Sequence, residues 1–203
     1  CLQGAPSLGD EGVFRAADYG AFQLWNVSKP ITWDLEVKDA NFTLNMGRGY
    51  LNGIPAVPEA NIWAGDIEIA SGRILTLTGS SSYATDYLTL AGRITGEGQL
   101  RIGDLKAEYR ISGVENTYSG GTHVGGNRLK IFAEGNISTN GPVQIYDGSL
   151  EVHLEGGGFT SEWIEAMAEK MSRDLYDGRG SLKFITDGDT DVTLTSDLSA
   201  MHP

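Results

Sequence analysis

The chain has 203 residues, of which 40% are hydrophobic and 21% charged, and this length allows one domain with a sizeable core. Its 27 acidic and 15 basic residues give a net charge of −12, a field that repels phosphate backbones and anionic bilayers and argues against a nucleic-acid partner. No apolar run approaches the roughly 20 residues of a membrane-spanning helix, and 28 glycines, about twice the usual share, indicate many tight turns.

The first stretch, 1–17, is rich in turn formers and predicts an irregular cap or tail. Cys1 is the only cysteine, which excludes a disulfide within the chain. A cysteine at this position suggests either the lipid-bearing residue of a bacterial lipoprotein or a free terminal thiol. The sequence leaves both alternatives open.

Short segments that alternate apolar and polar residues predict strands with one buried face throughout 18–157. The connections between them, such as SGR and AGR, are too short for crossover helices. A stretch rich in glycine, proline and asparagine, 47–61, predicts a loop that leaves the core. The sequence therefore predicts an all-β fold, either a β-solenoid or a two-sheet β-sandwich. The main predicted strands are 22–27, 32–37, 41–46, 66–70, 73–79, 87–92, 99–103, 107–113, 122–124, 128–133, 142–147 and 149–154.

One segment, 160–178, predicts an amphipathic helix, because its apolar residues recur at spacings of three and four. We expect this face to pack on the core as a cap rather than to bind a partner. Two terminal strands are predicted after it, at 181–186 and 191–196. The whole chain is then a single domain with a helical cap at 158–180 and terminal strands within 181–203. The apolar residues of the helix are Trp163, Ile164, Met167, Ala168, Met171 and Leu175.

The segment 93–124, RITGEGQLRIGDLKAEYRISGVENTYSGGTHV, resembles the passenger-associated repeat of bacterial autotransporters and related surface proteins. In that family a G-x-G-x-L segment precedes a strand ending in L-x-L-x-G, and N-T-Y-S/T-G-G-T-x-V follows. The resemblance continues to about residue 154 through the strand starts GPV and GSL. The matching residues are Gly96, Gly98, Leu100, Tyr109, Ile111, Gly113, Asn116, Thr117, Tyr118, Ser119, Gly120, Gly121, Thr122 and Val124.

The resemblance implies a right-handed parallel β-helix that is exported beyond the inner membrane. The family pattern marks structure and carries no catalytic residues to transfer. One clear copy is present and no membrane-barrel segment follows it, so we expect delivery to the periplasm or cell surface by a general export route. The expected role is structural or adhesive, with a host or matrix glycoprotein or glycan as the partner.

Closely spaced carboxylates in TDGDTD provide the sharpest candidate chemistry. Asp187, Asp189 and Asp191 are oxygen ligands of the kind that Ca²⁺ prefers, although a solvated hairpin turn is the simpler explanation of the cluster. The same residues support an alternative function as a secreted hydrolase. In an acid-active aspartic-type protease, which could degrade mucin or another glycoprotein, one carboxyl holds a proton while its partner activates water. A glycosidase with two carboxylates is the other form of this hypothesis.

Aromatic residues in or beside the predicted loops are candidates for binding. Tyr50, Trp63 and Tyr83 lie at such positions, and their rings suit the flat faces of sugars. The histidines His123 and His153 are too far apart in the sequence for a metal-ligand signature, and we expect each to lie at the surface.

Overall fold

The computed structural model describes residues 2–3, 12–16, 20–25, 27, 29–47, 61–79, 87–103, 108–155, 158–172 and 180–186. Among these residues no helix combines the length and apolar character that crossing a membrane requires. The strands are β1 (Leu2–Gln3), β2 (Val13–Arg15), β3 (Ala21–Trp25), β4 (Asp34–Val37), β5 (Phe42–Gly47), β6 (Ile62–Trp63), β7 (Ile67–Ile69), β8 (Ile74–Gly79), β9 (Tyr87–Leu90), β10 (Ile94–Gly96), β11 (Gln99–Ile102), β12 (Glu108–Ile111), β13 (Thr122–Val124), β14 (Arg128–Ile131), β15 (Val143–Ile145), β16 (Ser149–His153) and β17 (Ser181–Ile185), and the helix is α1 (Ser161–Ser172).

The described strands form three sheets, and every described strand pair is parallel. Sheet A has the order β1-β3-β5-β8-β11-β13-β15, sheet B the order β10-β7-β4-β2, and sheet C the order β17-β16-β14-β12-β9-β6. The prediction of an all-β fold with one helix is confirmed for this part of the chain. Three parallel sheets differ from the alternative of a two-sheet sandwich, whose sheets are antiparallel.

The chain passes through the sheets in a repeating circuit. Strands β6, β7 and β8 lie in sheets C, B and A, and β9, β10 and β11 repeat this order. In the next circuit, segment 116–119 lies beside β10 without forming a strand, where the Thr117 and Ser119 amides donate to the carbonyls of Ile94 and Gly96. Each of these circuits therefore adds one strand to sheet A and one to sheet C, parallel to the strand of the preceding circuit.

Inward residues of successive strands stack on one another in the core. Leu44, Leu77, Ile102, Val124 and Ile145 occupy paired positions from β5 to β15, and each is at most 1% exposed. Complete burial of such a side chain contributes about 1.5 to 3 kcal/mol relative to exposure. The alternation of apolar and polar residues that predicted the strands therefore also identifies the residues that form the core.

Several short strands were not predicted. Strands β1 and β2 lie within 1–17, which was expected to be irregular, and β2 pairs with β4. Strand β10 pairs with β7 and ends at Gly96, whose φ is +99°. Strands this short display little alternation, and β1, β2 and β10 also lie in stretches rich in glycine and other turn formers, which explains why the sequence did not reveal them. The predicted strand at 191–196 lies outside the described residues.

Helix α1 packs its apolar face on the core, as predicted. Ile164, Met167 and Met171 are at most 3% exposed, and the helix contacts β15. The Thr160 hydroxyl accepts a hydrogen bond from the Trp163 amide at 3.2 Å, which caps the first turn. The predicted end of the helix near residue 178 lies outside the described residues.

Candidate functional site

Most of the predicted site residues lie outside the described residues. This holds for the candidate calcium ligands and catalytic acids Asp187, Asp189 and Asp191, and for Tyr50 and Tyr83.

Trp63, the remaining candidate for ring binding, is not at the surface. It is 1% exposed, and its ring meets that of Phe22 edge to face, with centroids 6.0 Å apart. Its position in β6 pairs with Leu90, which also points into the core. The expectation of an exposed platform at Trp63 is corrected, because the residue occupies an inward position of a two-residue strand.

The asparagine of the NTYSGGT motif has a structural role. Asn116 is 6% exposed, its Oδ1 accepts a hydrogen bond from the Ile94 amide at 2.6 Å, and its Nδ2 donates to the carbonyls of Gly113 at 2.9 Å and Asn136 at 2.7 Å. In the next circuit the Nδ2 of Asn136 donates to the same Gly113 carbonyl at 2.9 Å, while its Oδ1 accepts from the Phe132 and Ala133 amides of its own segment. These amides hold consecutive circuits together at a bend that lacks a regular strand.

The rest of the motif is also used for packing. Tyr118 is fully buried and its hydroxyl lies 2.6 Å from that of Thr122. Burial raises the pKa of Tyr118 to about 12, so the phenol stays protonated. Gly121 has a φ of +88°, and an added Cβ would lie 2.5 Å from the Pro142 carbonyl oxygen, so only glycine fits. The motif therefore stabilises the fold, and functional chemistry must be sought on the outer faces.

A groove of about 1010 Å³ opens on the outer face of sheet A. Its first row of side chains comes from paired positions of four neighbouring strands, β5, β8, β11 and β13. Because parallel strands lie about 4.8 Å apart, this pairing brings together residues that are distant in the sequence. The side chains of the row are Thr43, Thr76, Arg101 and His123.

A second row forms the floor of the groove. It starts at Thr78 on β8, continues through Gly103 and Gly125, and ends at Tyr146 after β15. The two glycines contribute no side chain, so the groove is deepest between Thr78 and Tyr146. A Cβ added at Gly103 would lie 3.3 Å from the Thr78 hydroxyl, which places it on this floor.

Two rings lie close together at the β15 end of the groove. The ring of His123 is nearly parallel to that of Tyr146, with an interplanar angle of 21° and centroids 6.2 Å apart. The Nδ1 of His123 lies 3.3 Å from the Gln144 amide oxygen, which restrains the imidazole. Tyr146 is 44% exposed, and Asp147 beside it also lines the groove. This end combines an aromatic surface with a carboxylate.

A cluster of charged side chains lies on the outer face of sheet C. Glu108, whose side chain is only 6% exposed, accepts from Arg110 at 2.7 Å and from Lys130 at 2.8 Å. Burial alone would raise the pKa of Glu108, but the hydrogen bonds from Lys130 and Arg110 outweigh it, so the pKa is lowered. The single carboxylate lies between two cations and is hydrogen-bonded to both, so it links β12 to β14 and offsets the repulsion between Arg110 and Lys130.

His153 lies beside this cluster and packs on Phe132, with ring centroids 4.9 Å apart. Burial lowers the pKa of His153, and the charge of Lys130 adds to this effect. His153 lies on sheet C and His123 on sheet A, so the two imidazoles do not share a site.

The groove was missed at the sequence level for an identifiable reason. Arg101 and His123 do stand at polar positions of alternating strands, and this is the pattern that could have indicated them. Which polar residues become neighbours depends on the pairing between strands, and the connections vary in length from one circuit to the next.

The described residues include no group of three or more histidine, cysteine, aspartate or glutamate side chains placed to hold a metal ion. Comparison with protein-family models, with curated proteins and with solved structures found no match to this chain. The candidate site is therefore defined by the geometry and chemistry of the groove on sheet A.

Proposed function

We propose that the chain is a right-handed parallel β-helix module of an exported bacterial surface or periplasmic protein, with a structural and adhesive role towards host or matrix glycoprotein or glycan. The observation that carries the proposal is the parallel pairing of successive circuits in sheets A and C of the described residues, which builds the outer groove on sheet A. A right-handed sense is proposed because nearly all parallel crossover connections have this hand.

The resemblance to the passenger-associated repeat supports this proposal. The repeat residues Asn116, Tyr118 and Gly121 fill turns and core, as expected of a motif that specifies a scaffold. In a solenoid each circuit is stabilised mainly by its neighbours, so the outer residues are free to vary with the ligand. Export beyond the inner membrane is part of what the resemblance suggests.

The adhesive role is tested by incubating the purified chain with mucin between pH 4 and pH 8, with co-sedimentation and cleavage both measured. We expect saturable co-sedimentation and intact mucin. Cleavage that peaks in acid and disappears in Asp189→Asn, but persists in the exposed control Asp39→Asn, would contradict this role and support the aspartic-type protease.

Calcium binding by Asp187, Asp189 and Asp191 stays a prediction. If it occurs, Ca²⁺ should raise the melting temperature of the wild type, because a ligand that binds only the folded state stabilises it. EDTA should reverse the shift, and Asp189→Asn should reduce it. Identical melting curves with Ca²⁺ and with EDTA would rule out a stabilising calcium site.

A further inference from the structure

We propose that the groove on sheet A binds a short run of neutral sugar residues, with the rings of His123 and Tyr146 as the platform for a sugar face. Arg101 and Asp147 are the charged hydrogen-bond partners of the sugar hydroxyls. This inference rests on the proposed adhesive function and names the surface and the ligand class through which it acts.

The shape of the groove fits an extended, narrow ligand. From Thr78 to Tyr146 the floor crosses three strand spacings, which gives a length of about 14 Å. Gly103 and Gly125 keep this floor free of side chains, so a chain of sugar rings can lie across the strands. A wide, flat ligand would not use this depression.

The ring pair provides the apolar part of the site. Tyr146 is 44% exposed although it lies over a sheet whose inward residues are fully buried. The ring of His123 is inclined to that of Tyr146 by only 21° with centroids 6.2 Å apart, so the two rings line the same end of the groove. An aromatic face with polar atoms at its edge suits a pyranose ring, which has apolar C–H faces and a polar rim.

The polar lining favours an uncharged ligand rich in hydroxyls. Thr43, Thr76 and Thr78 have hydroxyls that both donate and accept, Arg101 only donates, and the Asp147 carboxylate only accepts. One positive and one negative side chain give the lining no strong preference for a polyanion. The net charge of −12 further disfavours acidic glycans.

The test uses O-glycans released from mucin and separated into a neutral and an acidic pool, passed over the immobilised chain by frontal affinity chromatography. We expect the wild type to retard the neutral pool more than the acidic pool. Tyr146→Ala should lower the affinity at least tenfold, and Tyr146→Phe should retain most of it because the ring remains.

Two further variants sharpen the test. Gly103→Ala adds a methyl group to the floor with only a small adjustment of neighbouring atoms, since its nearest contact would be the Leu77 carbonyl oxygen at 3.1 Å, and it should weaken binding without unfolding the chain. Phe132→Ala is the matched control. It removes an exposed ring that packs on His153 but lies on sheet C, and it should bind as the wild type does.

Equal retention by Tyr146→Ala and the wild type, or preference for the acidic pool, would overturn the inference. If intact mucin still co-sediments equally with the wild type and Tyr146→Ala, the adhesive function stands and only the groove assignment fails. If mucin does not co-sediment and neither pool is retarded, both proposals fail.

Discussion

At the scale of single residues, buried amides replace strand pairing where the chain bends. Asn116 and Asn136 each accept from a backbone amide and donate to a backbone carbonyl of another circuit. A buried polar group without a hydrogen-bond partner costs about 1 to 3 kcal/mol. These two side chains avoid that cost by pairing with backbone amides and carbonyls that water cannot reach. Asparagine suits this role because one short side chain carries both a donor and an acceptor.

Asn116→Ala should lower the free energy of unfolding by roughly 2 to 4 kcal/mol, because it leaves the Ile94 amide and the Asn136 carbonyl without this partner. Urea unfolding monitored by tryptophan fluorescence measures the change. The control is Asn140→Ala, since Asn140 is exposed and donates only to the Thr117 carbonyl at 3.2 Å. A loss in Asn140→Ala as large as that in Asn116→Ala would contradict the assigned role.

At the scale of elements, sheet C depends on charge pairing along its outer face. Glu108 on β12 is held between Arg110 on the same strand and Lys130 on β14. Removal of the carboxylate would leave two cations close together in a partly buried position. The cluster therefore links the stability of the sheet to pH.

Glu108→Gln should lower the free energy of unfolding by roughly 2 kcal/mol at pH 7, less than for a fully buried pair because Lys130 and Arg110 retain some contact with water. The pKa of Glu108 in the folded chain lies below its ordinary value of 4.5, so the stability that the carboxylate contributes is present above about pH 4.5 and is lost as pH falls through the folded pKa. The difference between wild type and variant should therefore shrink in acid, as measured by urea unfolding at pH 7 and pH 3. A difference that stays constant would contradict this account.

His153 adds a second pH dependence at a higher pH. Its folded pKa is lowered from 6.5, mainly by burial, so the unfolded chain binds more protons as pH falls below that value. Stability is therefore present above about pH 6.5 and decreases as pH falls towards the folded pKa. His153→Gln should flatten the dependence of the free energy of unfolding on pH between pH 7.5 and pH 5, as measured by urea unfolding. An unchanged slope would show that the imidazole does not contribute.

At the scale of the whole molecule, parallel stacking creates a surface from residues that are far apart in the sequence. Arg101, His123 and Tyr146 come from different circuits and line one groove, while the repeat motif lies in turns and core. The scaffold and the candidate binding surface are therefore separate sets of residues in the same circuits. Substitutions on the groove should change binding with little effect on folding.

The sequence was sufficient for the longer strands, the helix and most of the core, and insufficient for the shortest strands and the groove. Alternation in segments such as 73–79 and 99–103 identifies which residues point inward, because the period of two is local. The pairing of Arg101 with His123 depends on the length of the intervening chain and on the bend at Asn116, which are not local properties. Trp63 shows the opposite error, because proximity to a loop suggested exposure for a residue that lies in the core.

The central claim is that successive circuits pair in parallel and so assemble the groove. Scalar couplings across hydrogen bonds, measured by NMR on the deuterated chain, test it directly. We predict couplings from the Gly103 amide to the Leu77 carbonyl, from Gly125 to Ile102, and from Tyr146 to Val124, each joining one circuit to the next. Detection of all three would establish the stacking beneath the groove. Reciprocal couplings between residue pairs, as in an antiparallel sandwich, would contradict it.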